Sequence, residues 1–242
     1  MKFWKKQNNQ IKEYFNEQLI KPKESTKEAF KILHKLKITN LKTLDLACGN
    51  GANLMFLKKK YKNKNYCLGL DFNKKLIYSG LKFNSFNNLD LKYGNILKIK
   101  KNLRNKFDLI TSFQTLSWLE DYEKASLQMF QLNSNYIFIS SLFWEGLIDF
   151  KIQLNYLKNQ TYKRETNYSA YYNIYSLKNF INFYKKNNYL NIYCKKFILK
   201  KYIKNRFENI MGTYTLKDQS KKNLQISGPL LMNWYFLIFK KK

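Results

Sequence analysis

The sequence predicts an α/β protein built on a doubly wound, mostly parallel sheet. Three observations carry that expectation. Short apolar strands alternate with helical stretches between residues 42 and 142. The fifth strand, Tyr136–Leu142, is apolar almost throughout, as a strand covered on both faces is. The first strand ends in two closely spaced glycines, Gly49 and Gly51, followed by a helix.

The elements follow in order. Residues 9–38 hold two helices, the first marked by Ile11, Tyr14, Phe15 and Leu19. In the second, Ser25-Thr26-Lys27-Glu28 reads as a capping box before Ala29, Phe30, Leu33 and Leu36. Lys42–Ala47 reads as a strand and Ala52–Tyr61 as a helix. Tyr66–Asp71 is a second strand, Lys74–Phe83 a helix and Leu89–Tyr93 a third strand. Phe107–Phe113, a helix over Tyr122–Phe130 and Tyr136–Leu142 complete the alternating part. Residues 143–175, polar and rich in Tyr and Asn, break the rhythm and read as an inserted lid after the fifth strand. A helix over Ser176–Asn187 precedes strands at Leu190–Leu199 and Trp234–Phe239, with Asn205–Gly228 irregular between them. That makes seven strands, with a closing hairpin and an antiparallel last strand, on one domain spanning 1–242, with N-terminal helices over 1–40.

Composition sets bounds on function. At 45% hydrophobic and 17% aromatic, the 242 residues exclude a mostly disordered chain. No apolar run reaches the roughly 18 residues of a membrane-spanning helix. The first ten residues carry no secretory signal, so a cytoplasmic location is expected. Cys48, Cys67 and Cys194 are odd in number and scattered, neither a disulfide framework nor a metal cluster. The net charge of +29 concentrates anions, from phosphorylated small molecules to nucleic acid. The lysines are spread over the whole chain amid Asn, Ile, Phe and Tyr, all drawn from AT-rich codons, so compositional drift accounts for much of it.

The most informative segment is Leu44-Asp45-Leu46-Ala47-Cys48-Gly49-Asn50-Gly51. Glycines after a buried strand let a ligand approach bare backbone, and the helix beyond them offers free N–H groups. Leu54 stands where a dinucleotide fingerprint needs its third glycine, and no Gly-Lys-Ser/Thr of a P-loop occurs. Asp71 ends the second strand about twenty residues on, where an acid takes ribose hydroxyls. Gly94-Asn95-Ile96 follows the third strand, and Gln114-Thr115-Leu116-Ser117-Trp118 the fourth. All project from the carboxyl edge of the sheet, where open α/β folds bind ligands.

Together these segments resemble the class I S-adenosylmethionine-dependent methyltransferases, with their Rossmann-like fold. The likeness covers residues 27–142 well and departs at Ala47, more often Gly, and Asn95, more often Asp. It implies S-adenosylmethionine as cofactor, with Ala47, Gly49 and Gly51 facing its methionine part and Asp45 orienting its amino group. Asp71 would hold the ribose, Phe72 and Ile96 would sandwich adenine beside Asn95, and Gln114 and Thr115 would line the methionine end.

Methyl transfer needs alignment, and a base if the acceptor is a hydroxyl. No cluster with metal-ligand spacing is present in the sequence. His34, between Leu33 and Leu36, reads as a packed or surface histidine. Glu145 and Asp149, just past the fifth strand, either act on an acceptor hydroxyl or cap the next helix. Trp118 and Trp144 read as pocket wall or core, and Tyr171 and Tyr172 as stacking platform or packing. No Asn-Pro-Pro-Tyr or Asp-Pro-Pro-Tyr follows the fourth strand, which disfavours methylation of planar amide nitrogens. Met211-Gly212-Thr213-Tyr214-Thr215 and Gln225–Phe236 look like the ending of small bacterial methyltransferases of sugar and surface-glycan pathways. The expected acceptor is therefore a hydroxyl or carboxyl of a small molecule, a sugar or nucleotide-linked sugar first, and an anionic one given the charge. RNA is the alternative acceptor, and a non-catalytic cofactor-binding partner subunit the reading from another class.

Overall fold

The computed structural model describes residues 9–154, 170–205 and 212–242. Helices α1 (Asn9–Ile20) and α2 (Glu24–Lys35) precede the alternating part. There β1 (Thr43–Leu46), β2 (Cys67–Asp71), β3 (Leu89–Tyr93), β4 (Leu109–Phe113) and β5 (Tyr136–Trp144) are interleaved with α3 (Ala52–Tyr61), α4 (Lys74–Phe83) and α5 (Glu123–Gln131). Two short pieces, β6 (Gln153–Leu154) and β7 (Ala170–Tyr171), pair with each other. Then come β8 (Tyr175–Ser176), α6 (Leu177–Lys186), β9 (Tyr189–Lys196), β10 (Thr213–Lys217), β11 (Asn223–Ser227), β12 (Leu230–Leu231) and β13 (Trp234–Lys241).

The main sheet runs β3-β2-β1-β4-β5-β13-β9, with β8 added at the end of β5. The first five strands are parallel, and β13 lies antiparallel between β5 and β9. The mostly parallel sheet with its antiparallel last strand is as the alternation predicted. Because β1 pairs with both β2 and β4, the winding reverses there, and a crevice opens beyond the carboxyl ends of β1 and β4.

The pleat of β5 shows how the core is divided. Phe138 and Leu142 face a layer with Phe30, Leu33, Leu54 and Ile77 of α2, α3 and α4. Ile137, Ile139 and Phe143 face the other layer, with Met129 of α5 and Phe180 and Tyr184 of α6. The high aromatic content is spent largely here, as in Tyr184 stacked on Phe239 with ring centroids 4.1 Å apart.

Three local expectations change. The Ser25–Glu28 capping box does not form: α2 starts at Glu24, and the Thr26 hydroxyl donates to Asn53 Oδ1 (2.8 Å). Asn205–Gly228 is not simply irregular, because β10, β11 and β12 form a small antiparallel sheet. Its strands escape detection because they are short and mostly polar, with Thr215 the buried residue of β10. The end of the presumed lid is sewn into the body instead of covering it. Asn173 donates to the Leu119 carbonyl (2.8 Å), and the Tyr175 hydroxyl donates to the Leu116 or Leu119 carbonyl (3.0 and 3.1 Å). Tyr168 and Met211 lie outside the described residues.

The two buried tyrosines of this segment give opposite expectations. Tyr172 is fully buried, and its hydroxyl has no hydrogen-bond partner among the described residues. Tyr172→Phe should therefore leave stability unchanged or raise it by up to about 1 kcal/mol, whereas Tyr175→Phe should lower it by roughly 1–2 kcal/mol. Thermal unfolding of both variants checks this, at about 2–4 °C per kcal/mol for a chain of this size.

Candidate active site

The crevice is floored by the turn after β1. Ala47, Gly49 and Gly51 all take left-handed backbone (φ 60°, 60° and 80°), which non-glycine residues adopt only at a cost of about 1 kcal/mol. Glycine is thus the natural occupant of all three positions, and Ala47 tolerates the strain. The Asp71 carboxylate clamps the turn from the next strand. Its Oδ2 accepts the Gly49 N–H (2.8 Å) and its Oδ1 the Asn73 N–H (2.8 Å). The Asn73 side chain in turn caps α4 by accepting from Lys75 and Leu76 N–H.

Beneath the turn, Asp45 is 1% exposed. Its Oδ1 accepts the Thr111 hydroxyl of β4 (2.7 Å), while Oδ2 has no hydrogen-bond partner among the described residues. Burial pushes the Asp45 carboxyl up to about 7, with Thr111 opposing the shift and the Asp71 charge adding to it. Burial likewise pushes Asp71 up to about 6, against the pull of the Asn73 and Gly49 amides. The Cys48 thiol, buried beside both acids, is held well above its ordinary range and is no nucleophile.

A cleft of about 130 Å³ opens over these groups. Of the expected site residues, Ala47, Gly49, Asp71, Phe72, Gln114, Thr115 and Trp118 line it together. Gln114 is itself in left-handed backbone (φ 55°), fixed by its N–H on the Ser140 carbonyl (2.8 Å). Its side-chain Nε2 is buried without a partner among the described residues.

The other expected residues lie elsewhere. Asn95 is exposed and closes its own turn by accepting the Leu97 N–H (2.9 Å), while Ile96 packs into the core layer of Leu68 and Leu70. Trp144 is 46% exposed, edge-on to Phe150. Glu145 is bound by the Tyr235 hydroxyl (2.6 Å) and Lys196 (2.8 Å), which hold its carboxyl below the usual range. Asp149 accepts the Ser176 N–H (2.6 Å) at the start of α6, the capping role. Tyr171 is half-buried on β7, and Tyr172 packs edge-on against Trp118 (5.0 Å). His34 is exposed and rests against the Tyr61 ring (5.2 Å).

Sequence reasoning missed the roof and back wall. Tyr14, Phe15 and Gln18 of α1 close over the glycine turn, and Phe113, Ser140, Trp234 and Phe236 form the wall. The Asn50 side chain donates to the Phe15 carbonyl (2.7 Å) and Ser79 to Asn16 (2.7 Å), which seats α1 on α3 and α4. The apolar spacing of α1 was legible, but nothing in it said which surface it covers.

Two buried carboxylates below bare backbone, one with a vacant lone pair, suit a ligand that brings cationic groups. Such a turn, at the switch point of the sheet, lies where open α/β folds bind their ligands. A model of the methyltransferase domain matches residues 38–224, and the chain belongs to that family. It is an S-adenosylmethionine-dependent methyltransferase with that molecule as its cofactor. The fold is similar to that of a SAM-dependent methyltransferase from Methanosarcina mazei, at 13% identity and TM-score 0.56, covering 87% of this chain and 96% of that one. It is also similar to a 1,6-didemethyltoxoflavin-N1-methyltransferase from Burkholderia thailandensis, at 9% identity and TM-score 0.57, covering 95% and 83%. A Galdieria sulphuraria protein assigned as a sarcosine dimethylglycine methyltransferase matches at 15% identity and TM-score 0.52, covering 71% of this chain and 62% of that one. No curated protein matches the sequence at a significant level.

S-adenosylmethionine supplies an electrophilic methyl on a sulfonium, together with an ammonium group. Asp71 and the Gly49 backbone in the cleft lining, with the unpartnered Oδ2 of Asp45 buried beneath the turn, suit that cationic donor. Cofactor binding must then favour the ionised acids. Affinity should rise as pH goes from about 6 to about 8, with protons released on binding near pH 6.5, measurable by calorimetry in buffers of different ionisation enthalpy. In the free protein the sign reverses. Raised carboxyl pKa values mean that the folded state binds more protons than the unfolded chain between about pH 4 and pH 7. These two acids therefore make stability fall as pH rises through that window.

Proposed function

We propose that the methyl acceptor is an oxygen of a small molecule, and that a carboxylate fits this cleft better than a sugar hydroxyl. The observation that carries it is the placement of the acids. Glu145 and Asp149, the candidate bases, are engaged outside the cleft lining, and Asp71 is committed to the glycine turn. A hydroxyl acceptor needs its proton removed, whereas a carboxylate arrives ionised at neutral pH. The strongly positive chain also concentrates anionic acceptors. A sugar acid keeps the pathway suggested by the chain's ending within this class.

The test is to incubate the protein with methyl-labelled cofactor and a panel of carboxylic acids, sugars and sugar phosphates. Label released by alkali as methanol marks a methyl ester and supports the carboxylate. Alkali-stable label on a sugar overturns it. A second reading, RNA, draws on a groove of about 880 Å³ beside β2 and β3, lined by Lys42, Lys92, Lys98, Lys100 and Lys106 together with Tyr66 and Tyr93. That reading requires transfer RNA to bind with an affinity that falls steeply with salt.

A further inference from the structure

A second cavity, of about 430 Å³, adjoins the cleft. The two share Tyr14, Gln18, Lys23, Ser25, Gly212 and Thr213 as lining, so the second cavity borders the cleft on the side of α1 and the start of β10. Lys23 stands at this junction, its ammonium 4.7 Å from the centroid of the Tyr14 ring. The outer cavity is floored by Phe197, Leu199 and Ile203, with Tyr202 and Tyr214 beside them. Lys21 and Lys204 stand at its edge, together with Glu17 and Glu24, the latter paired with Lys27 at 2.7 Å.

We infer that this outer cavity holds the non-reacting part of the acceptor, and that the acceptor is an elongated amphipathic acid with an apolar body. The inference rests on the carboxylate reading above. A polar glycan unit would leave the Phe197, Leu199 and Ile203 floor wet and gain nothing from it. An apolar chain or ring system removes that floor from water, while the lysines attract its acid head on entry. The position also explains the small sheet of β10, β11 and β12. The segment after β9 is tied to it, with Ile203 and Thr215 bonded in both directions (2.9 Å each), and this places Tyr202 and Ile203 in one cavity lining with Tyr14, Glu17 and Gln18 of α1.

The test uses the whole protein saturated with S-adenosylhomocysteine and the fluorescent probe 1-anilinonaphthalene-8-sulfonate. Laurate should displace the probe at about tenfold lower concentration than acetate, or lower still. Ile203→Glu puts a carboxylate in the floor and should weaken laurate about tenfold while S-adenosylhomocysteine affinity stays unchanged. Tyr202→Glu, at a position 56% exposed, provides the same test should the first variant fold poorly. Equal competition by laurate and acetate, or laurate affinity untouched in a folded variant, overturns the inference. Laurate that binds without accepting label leaves the outer cavity in place and refutes the carboxylate reading. Methyl esters formed on short acids, with no preference for laurate, do the reverse.

Discussion

Asp71→Asn is expected to lower affinity for S-adenosylmethionine roughly 10- to 100-fold while leaving the unfolding temperature almost unchanged. Both carboxylate oxygens accept backbone N–H groups, from Gly49 and Asn73. Asn keeps one acceptor, and its NH₂ must then confront the other N–H, so the turn loses one of its two fixings. The stability terms oppose each other. Ionising a carboxyl whose pKa is raised from 3.8 to about 6 costs roughly 3 kcal/mol, which Asn avoids. Orphaning a buried amide costs about 1–3 kcal/mol, so the two nearly cancel. The cofactor has no such compensation, since it loses both the negative charge and the ordered turn. Calorimetric titration alongside thermal unfolding separates the two effects. Equal affinity in the variant would remove Asp71 from the site.

Gly80→Ala is expected to cost about 1–3 kcal/mol and to weaken cofactor binding, although Gly80 does not line the cleft. In an exposed helix the same change gains about 1 kcal/mol from propensity. Here steric overlap wins. A Cβ on Gly80 would lie 2.1 Å from the Asn50 carbonyl oxygen and 2.7 Å from Leu91 Cδ1. The Leu91 side chain can turn aside, but the Asn50 oxygen is backbone of the glycine turn and can only move with it. The substitution thus pushes α4 and the turn apart, displacing Gly49 and Gly51. A fall of several degrees in unfolding temperature, together with a raised Kd for S-adenosylhomocysteine, is the signature. An unfolding temperature at or above that of wild type would show that the helix absorbs the methyl group.

The alternating sheet was legible because its central strands are buried on both faces, so β2 and above all β5 carry apolar runs. The edge strand β3 still buries Leu89 and Leu91 in alternation. The glycine turn and Asp71 were legible because their chemistry is local: left-handed backbone at 49 and 51, and an acid at the end of the next strand. What stayed hidden depends on distant partners. Glu145 looks like a rim base until Lys196 and Tyr235 arrive from β9 and β13 to bind it. Asn95 offers an amide to a ligand until its own turn takes the oxygen. The roof of Tyr14 and Phe15 shows only as an ordinary apolar helix face, and Ser140 as one of two adjacent serines within an apolar strand. Tyr172 and Tyr175, alike in sequence, differ because one hydroxyl reaches the carbonyls of residues 116 and 119 and the other reaches none among the described residues.

The net charge of +29 is not reflected at the glycine turn, where the buried charged groups are the acids Asp45 and Asp71. The most direct measurement is a titration of S-adenosylhomocysteine into the wild-type protein near pH 8, where Asp45 and Asp71 are ionised. One molecule bound per chain, with affinity reduced in Asp71→Asn, is the predicted result. A folded wild-type protein that binds none would contradict the cofactor site described here.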